Sequence, residues 1–301
     1  MFKKEIAGIR TRLTTLHEHI FRCPVCSRTM KMTDNQSLVC SVNHSFDMSR
    51  DGYFHLLPNA KPTKYNKELF EARKLINASG YFERLLQTLA SGISRSMPWR
   101  ANAFPLSILD AGCGEGSHLA YLQDTLQGLS DQDILAVGAD LSKPGIITAA
   151  KGSSRVIWCV ADLARSPFQD QTFDIIVNIL SPSNYGEFQR LLAANGMLVK
   201  VIPGPEYLKE FKQLLYGRST PGQQDTLEET AVLFAKHFPE TEQQHVRYEI
   251  ELPPEHIKGM LKMTPLSWHA PKENIQKLLL SRPSLKLTFD FYILWSKPFS
   301  R

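Results

Sequence analysis

The sequence predicts an α/β fold: a doubly wound, mostly parallel sheet preceded by a small N-terminal domain stapled by a metal. Three observations carry that expectation. Five short apolar, β-branched runs at 106–111, 134–139, 156–160, 173–179 and 197–202 alternate with helical stretches at 119–127, 143–151 and 185–194. Strand and helix in alternation build parallel sheets covered on both faces. A glycine-rich loop joins the first run to its helix, and three of the 5 cysteines fall between positions 23 and 40. A secreted disulfide framework does not predict such a cluster; a metal site does.

Taken in order, residues 1–20 place Ile6, Ile9, Leu13, Leu16 and Ile20 on one helical stripe, expected to pack as a helical extension. Residues 21–58 are turn-rich and form the metal-binding module. Residues 59–80, just after Pro58, hold a linker, marked by Lys61, Pro62, Lys64 and Lys67, and a helix. Helical periodicity covers 68–91, with Gly80 separating two helices. The large domain occupies 81–301. In it a helix at 206–216 leads to a longer insertion, and two late runs, 246–252 and 287–295, close the sheet as an antiparallel pair.

With 301 residues, 43% hydrophobic and 22% charged, the composition is that of a globular chain. No apolar run approaches the ~20 residues of a membrane helix, and the basic start lacks the apolar core of a secretory signal. The expectation is a cytoplasmic protein without a membrane partner. The net charge of +5 is unevenly placed: residues 1–75 hold 13 Lys+Arg against 7 Asp+Glu, the remainder 22 against 23. That surplus fits an anionic partner such as nucleic acid, or a solvated basic arm.

The glycine loop carries more chemistry. Asp110-Ala111-Gly112-Cys113-Gly114-Glu115-Gly116 has the spacing Asp-x-Gly-x-Gly-x-Gly, not the pattern of dinucleotide phosphate binders. Asp110 at the strand's lip would repel a phosphate and suits a cationic ammonium group, as in the methionine part of S-adenosyl-L-methionine. Asp140, after the second strand, can accept from two ribose hydroxyls, and Asp162, after the third, can bond the exocyclic amine of adenine. The alternative for these acids is helix capping. Asn178, with Ser181 and Pro182 after the fourth strand, either holds a target base or caps a turn before the helix at Tyr185.

Cys23 and Cys26, then Cys40 and His44, make a C-x2-C-x13-C-x3-H pattern. Two ligands on one turn and two on another can surround one tetrahedral Zn²⁺, and four protein ligands make the site structural. Arg22, Arg28, Lys31, Arg50, Tyr53, Phe54 and His55 surround it. They can hold single-stranded RNA by charge and stacking; in so small a module the aromatics can equally be its core.

These motifs, with the segment SFDMSRDGYFHLLP and the late MTPLSWHA, resemble the bacterial 23S rRNA (guanine-N1-)-methyltransferases of the RlmA type, from about Phe21 to Trp295. The resemblance implies a zinc-ribbon-like RNA-recognition domain with one structural Zn²⁺ per chain. It implies a class I (Rossmann-like) methyltransferase domain and a homodimer. The implied substrate is a guanine in a hairpin loop of domain II of 23S rRNA, where methylation can alter macrolide-type antibiotic sensitivity. Carried over by position, Cys23, Cys26, Cys40 and His44 match the zinc ligands, and Asp110, Gly112, Gly114 and Asp140 the cofactor loop. Tyr81, His118 and Tyr207 fall at cofactor-lining positions, and Gly116, Ser117 and Leu141 flank the same motifs. No catalytic base is identified. A second reading is a methyltransferase of small molecules or proteins, with the zinc module as a dimerisation or lid element.

Overall fold

A computed structural model describes residues 20–33, 36–58, 65–96, 105–130, 132–217, 223–280 and 284–296. The expected helix over 1–20 and most of the linker at 59–64 lie outside these residues.

The chain begins with three short strands, β1 (Met30–Met32), β2 (Ser37–Cys40) and β3 (Ser45–Asp47), paired antiparallel in that order. They are followed by β4 (Tyr53–His55), α1 (Lys67–Ala78), α2 (Glu83–Ser96), β5 (Leu106–Ala111), α3 (Ser117–Leu129), β6 (Ile134–Asp140), α4 (Lys143–Gly152), β7 (Ile157–Val160) and β8 (Phe173–Ile179). The chain continues through α5 (Tyr185–Leu191), β9 (Leu192–Pro203), α6 (Lys209–Tyr216), α7 (Gln223–His237), β10 (Thr241–Leu252), α8 (Pro254–Met263), α9 (Lys272–Leu280) and β11 (Leu285–Ser296).

An 8-stranded sheet of order β10-β11-β9-β8-β5-β6-β7-β4 forms the body. Strands β4 to β9 run parallel where they pair, and β11 lies antiparallel between β9 and β10. Every residue of central β5 is buried, as a strand covered by helices on both faces requires. The strand order reverses between β5 and β8, and the crevice beyond these strand ends is where such sheets take ligands.

Two particulars depart from the sequence reading. The helix expected to reach 194 stops at Leu191, and β9 starts at Leu192, five residues early. Asn195 adopts φ 68 there, and the β8–β9 register shifts between Phe173 and Ile175, so the extra residues form a bulge. The helix expected from 206 begins only at Lys209, because the Glu206 amide is captured by Asp290 Oδ2 at 2.8 Å and Leu208 takes φ 52.

The zinc-bearing segment does not stand apart from the large sheet. β4 adds to its edge parallel to β7, and Arg22 N donates to the Pro167 carbonyl at 2.9 Å. Phe21 packs on Phe54 and Phe168, ring centroids 5.8 Å apart in each case. Tyr53 and Phe54 are buried; of the two roles open to them, core is the one they fill. No helix among the described residues is long and apolar enough to cross a membrane.

Candidate active site and zinc centre

The zinc centre is built by two tight turns. Ser27 N closes the first onto the Cys23 carbonyl, and Asn43 N closes the second onto that of Cys40, at 2.8 and 2.9 Å. The ligand atoms of Cys23, Cys26, Cys40 and His44 all lie within 4.8 Å of one another. Cys26 Sγ is 3.7 Å from Cys40 Sγ, and His44 Nδ1 is 3.5 Å from the sulfurs of both Cys23 and Cys40. A tetrahedral Zn²⁺ with bonds of ~2.3 Å to sulfur and ~2.0 Å to nitrogen has edges of about 3.8 and 3.5 Å. The donor set therefore fits zinc in chemistry and in spacing. His44 N also donates to Cys40 Sγ at 3.3 Å, the contact that steadies a ligating sulfur.

The second site is a cavity of about 1230 Å³ at the C-terminal ends of β5, β6, β7 and β8, more than the roughly 300–1,000 Å³ usual for one small ligand. Gly112, Gly114, His118, Asp140, Leu141, Asp162 and Tyr207 line it. Gly112 and Gly114 take φ 92 and 57, where other residues are strained. A Cβ on Gly112 would lie 2.0 Å from Ser181 Oγ, so only glycine lets the loop pass the turn after β8.

Asp140 ties the two loops together, accepting from Gly114 N at 2.9 Å and Ser142 N at 2.7 Å. Each carboxylate oxygen keeps a further lone pair for a ligand hydroxyl. Asp162, on the cavity lining, accepts from Ala164 N through Oδ1 at 2.8 Å. His118 is half-buried, and its Nε2, shut off from solvent, has no partner among the described residues. Burial, then the Arg73 charge, pushes its pKa down to about 4, so it enters as a neutral ring. Burial pushes the Tyr207 phenol well up.

The remaining candidates lie off the cavity wall. Asp110 is 2% exposed beneath the loop, with Oδ1 unpartnered among the described residues. Burial, aided by Asp140 and Glu115, pushes its pKa up to about 8. Gly116 and Ser117 start α3, where Ser117 Oγ donates to Glu115 Oε2 at 2.7 Å. The Tyr81 hydroxyl is 2.7 Å from His256 Nδ1. Asn178 is fully buried: its amide donates to the Ala111 and Pro182 carbonyls, and its Oδ1 accepts from Ser183 and Lys200. It braces the turn rather than reaching a ligand.

The structure adds residues that were not among the site candidates. Phe70, Arg73 and Asn77 of α1 bound the cavity, and their i, i+3, i+7 spacing is the signal that puts them on one face. Glu115, Lys200, Tyr65 and Trp268 join them. Tyr65 and Trp268 meet edge to face, centroids 5.5 Å apart.

Asp110, buried beneath the loop with Oδ1 unpartnered among the described residues, lies beside Asp140 and Glu115, which line the cavity, so the floor under the loop is acidic. It fits the ammonium of a methionine group and is ill suited to a phosphate. Fold and site together define a class I, S-adenosylmethionine-dependent methyltransferase carrying a structural zinc site.

Comparison with known proteins agrees. A family described as RlmA, N-terminal, a zinc ribbon, matches residues 21–64, and a methyltransferase-domain family matches 108–197. YxjB of Bacillus subtilis (strain 168), assigned as a 23S rRNA (guanine-N(1)-)-methyltransferase, is 41% identical over 286 residues, covering 93% of this chain and 98% of its own. A protein of Micromonospora griseorubida with the same assignment is 30% identical, covering 82% and 86%. The 23S rRNA (guanine(748)-N(1))-methyltransferase of Streptomyces fradiae is 29% identical, covering 88% and 91%. The chain belongs to the RlmA-type 23S rRNA (guanine-N1-)-methyltransferase family.

Proposed function

We propose that the protein transfers a methyl group from S-adenosyl-L-methionine to N1 of a guanine in a hairpin loop of domain II of 23S rRNA. The observation that carries the reading is the cavity itself: an acidic floor under a glycine loop at one side, and a half-open wall of aromatic and cationic groups at the other.

On this reading Gly112, Gly114 and Asp140 hold the cofactor, with Asp140 on the ribose and Asp162 beside the adenine. Asp110 answers the ammonium through the loop. When bound, the cofactor supplies a methyl group activated by a cationic sulfur, so the protein's work is alignment. The volume left beyond the glycine loop takes the base. A base flipped from a hairpin loop costs less to unstack than one from a duplex, and Trp268, 40% exposed, offers it an aromatic face.

The division into a zinc-binding RNA-recognition module at 21–58 and a methyltransferase domain at 81–301 belongs to the same proposal, as do a homodimer and a cytoplasmic location. So does an influence on macrolide-type antibiotic sensitivity. Basic residues of the zinc module, among them Lys31 and Arg50, then meet RNA phosphates, making binding weaken with salt.

Mass mapping of 23S rRNA from cells with and without the gene tests the proposal. The expected result is loss of one methyl group from a domain II hairpin guanine in the deletion strain. An unchanged methylation pattern there would remove the assignment and favour a small-molecule or protein substrate.

A further inference from the structure

One task in this reaction has no residue yet. N1 of a neutral guanine carries a proton, and it must leave as the methyl arrives. The transfer side of the cavity is bounded by the turn after β8, whose Ser181 presses against Gly112. Lys200 reaches that turn from β9. It stands opposite Asn178 in the β8–β9 register, is 4% exposed, and lines the cavity. Its Nζ bonds Asn178 Oδ1 at 2.6 Å and the Ser181 carbonyl.

Both partners are neutral acceptors. A carboxylate would hold the side chain as an ammonium; two amide oxygens do so far less. A neutral amine has two N–H groups and one lone pair. The two acceptors take the N–H groups, and the lone pair is what remains for an occupant of the cavity. Burial alone pushes the Lys200 pKa down to about 8, so the neutral form is accessible near physiological pH, as a general base requires.

We propose that Lys200, as a neutral amine held by Asn178 and Ser181, accepts the N1 proton of the target guanine during methyl transfer. The proposal rests on the methyl-transfer reading above. The N1–H bond breaks towards Nζ, and the pair left on N1 forms the bond to the methyl carbon. The carbon–sulfur bond breaks with its pair remaining on sulfur. Positive charge leaves the sulfur and appears on Lys200, from which solvent later removes the proton.

The test uses the full-length zinc-loaded protein, its Lys200→Met and Lys200→Arg variants, and a domain II hairpin RNA. Arginine keeps a cation and donors for the turn but cannot serve as a base. Single-turnover methyl transfer by the wild type should rise with pH and level off near 8. Both variants should lose 10²–10⁴-fold in rate and lose that break, with unchanged affinity for S-adenosylhomocysteine and RNA. Independently of activity, the Lys200 ¹³Cε resonance, assigned by its absence in Lys200→Met, should titrate near 8. Lys200→Arg with wild-type rate and pH profile would reduce Lys200 to a brace and overturn the proposal. So would a resonance titrating above 10 alongside a wild-type rate without the break. If both variants lose cofactor binding, the resonance and the wild-type profile decide. Wild type that forms no N1-methylguanosine refutes the underlying reading and the proposal with it; active wild type with an indifferent arginine variant refutes the proposal alone.

Discussion

Gly114 donates its backbone N–H to Asp140 Oδ2 at 2.9 Å, joining the loop after β5 to the end of β6. One carboxylate thus shapes the glycine loop and faces the ligand. Asp140→Asn should fail on both counts, because its NH2 group would confront a backbone N–H. Hydrogen bonds to charged groups contribute about 1.5–3 kcal/mol, so S-adenosylhomocysteine affinity should fall roughly 10–100-fold by calorimetry. An unchanged affinity would show that Asp140 serves the loop alone.

Asp110 sets a pH dependence of stability. Its folded pKa is raised from 3.8 to about 8 by burial first, then by Asp140 and Glu115. The native state therefore holds this proton more tightly than the unfolded chain. Its contribution is fully present below about 4 and is lost as pH rises through 8. Asp110→Asn, which never ionises, should melt above wild type at pH 8 by roughly 1–3 kcal/mol, and the gap should shrink towards pH 4. Thermal melts of ligand-free protein at several pH values check this; a variant equally destabilised at every pH would contradict it.

Zinc should hold more than its own module. Chelation removes the metal and Cys40→Ser removes one of its ligands; either loss unfolds small zinc sites, and β4 hangs from that module on the edge of the main sheet. Amides of Tyr53, Phe54 and His55 should then lose hydrogen-exchange protection together with the cysteine turns. Phe54→Ala, cutting the same seam, should cost about 3–5 kcal/mol. Retained protection in the metal-free protein would show that the edge strand stands without zinc.

Gly112 should tolerate no side chain. Its φ of 92 and the 2.0 Å approach of Ser181 Oγ to an added Cβ predict that Gly112→Ala keeps the fold and loses cofactor binding. Circular dichroism beside a calorimetric titration separates the two effects. Wild-type affinity in this variant would mean that the turn after β8 moves freely.

Much of this was legible in the chain. Runs such as 106–111 and 173–179 carry apolar residues on both alternating faces because a parallel strand is covered on both sides, and their limits survive in β5 and β8. Cys23, Cys26, Cys40 and His44 carry their geometry in their spacing. β4 escaped because Tyr53–His55 is three residues long and acquires its meaning only by pairing with β7. Arg73 escaped because a polar residue on an exposed-looking helix face reads as solvated until Met263 O accepts from its Nε, at 3.2 Å and across 190 residues. Lys200 left a trace that can be read: a lysine inside the apolar run Met197–Ile202, where a buried charge needs a reason.

The central claim is that the acids at successive strand ends make a pocket for a cationic sulfur nucleoside. Calorimetric titration of the purified protein with S-adenosyl-L-methionine, in buffers of differing ionisation enthalpy, tests it most directly. The account predicts saturable binding at pH 7 with net proton release as Asp110 ionises against the ammonium, and loss of that release in Asp110→Asn. Indifference to this compound, with tight binding of NAD or ATP in its place, would contradict it.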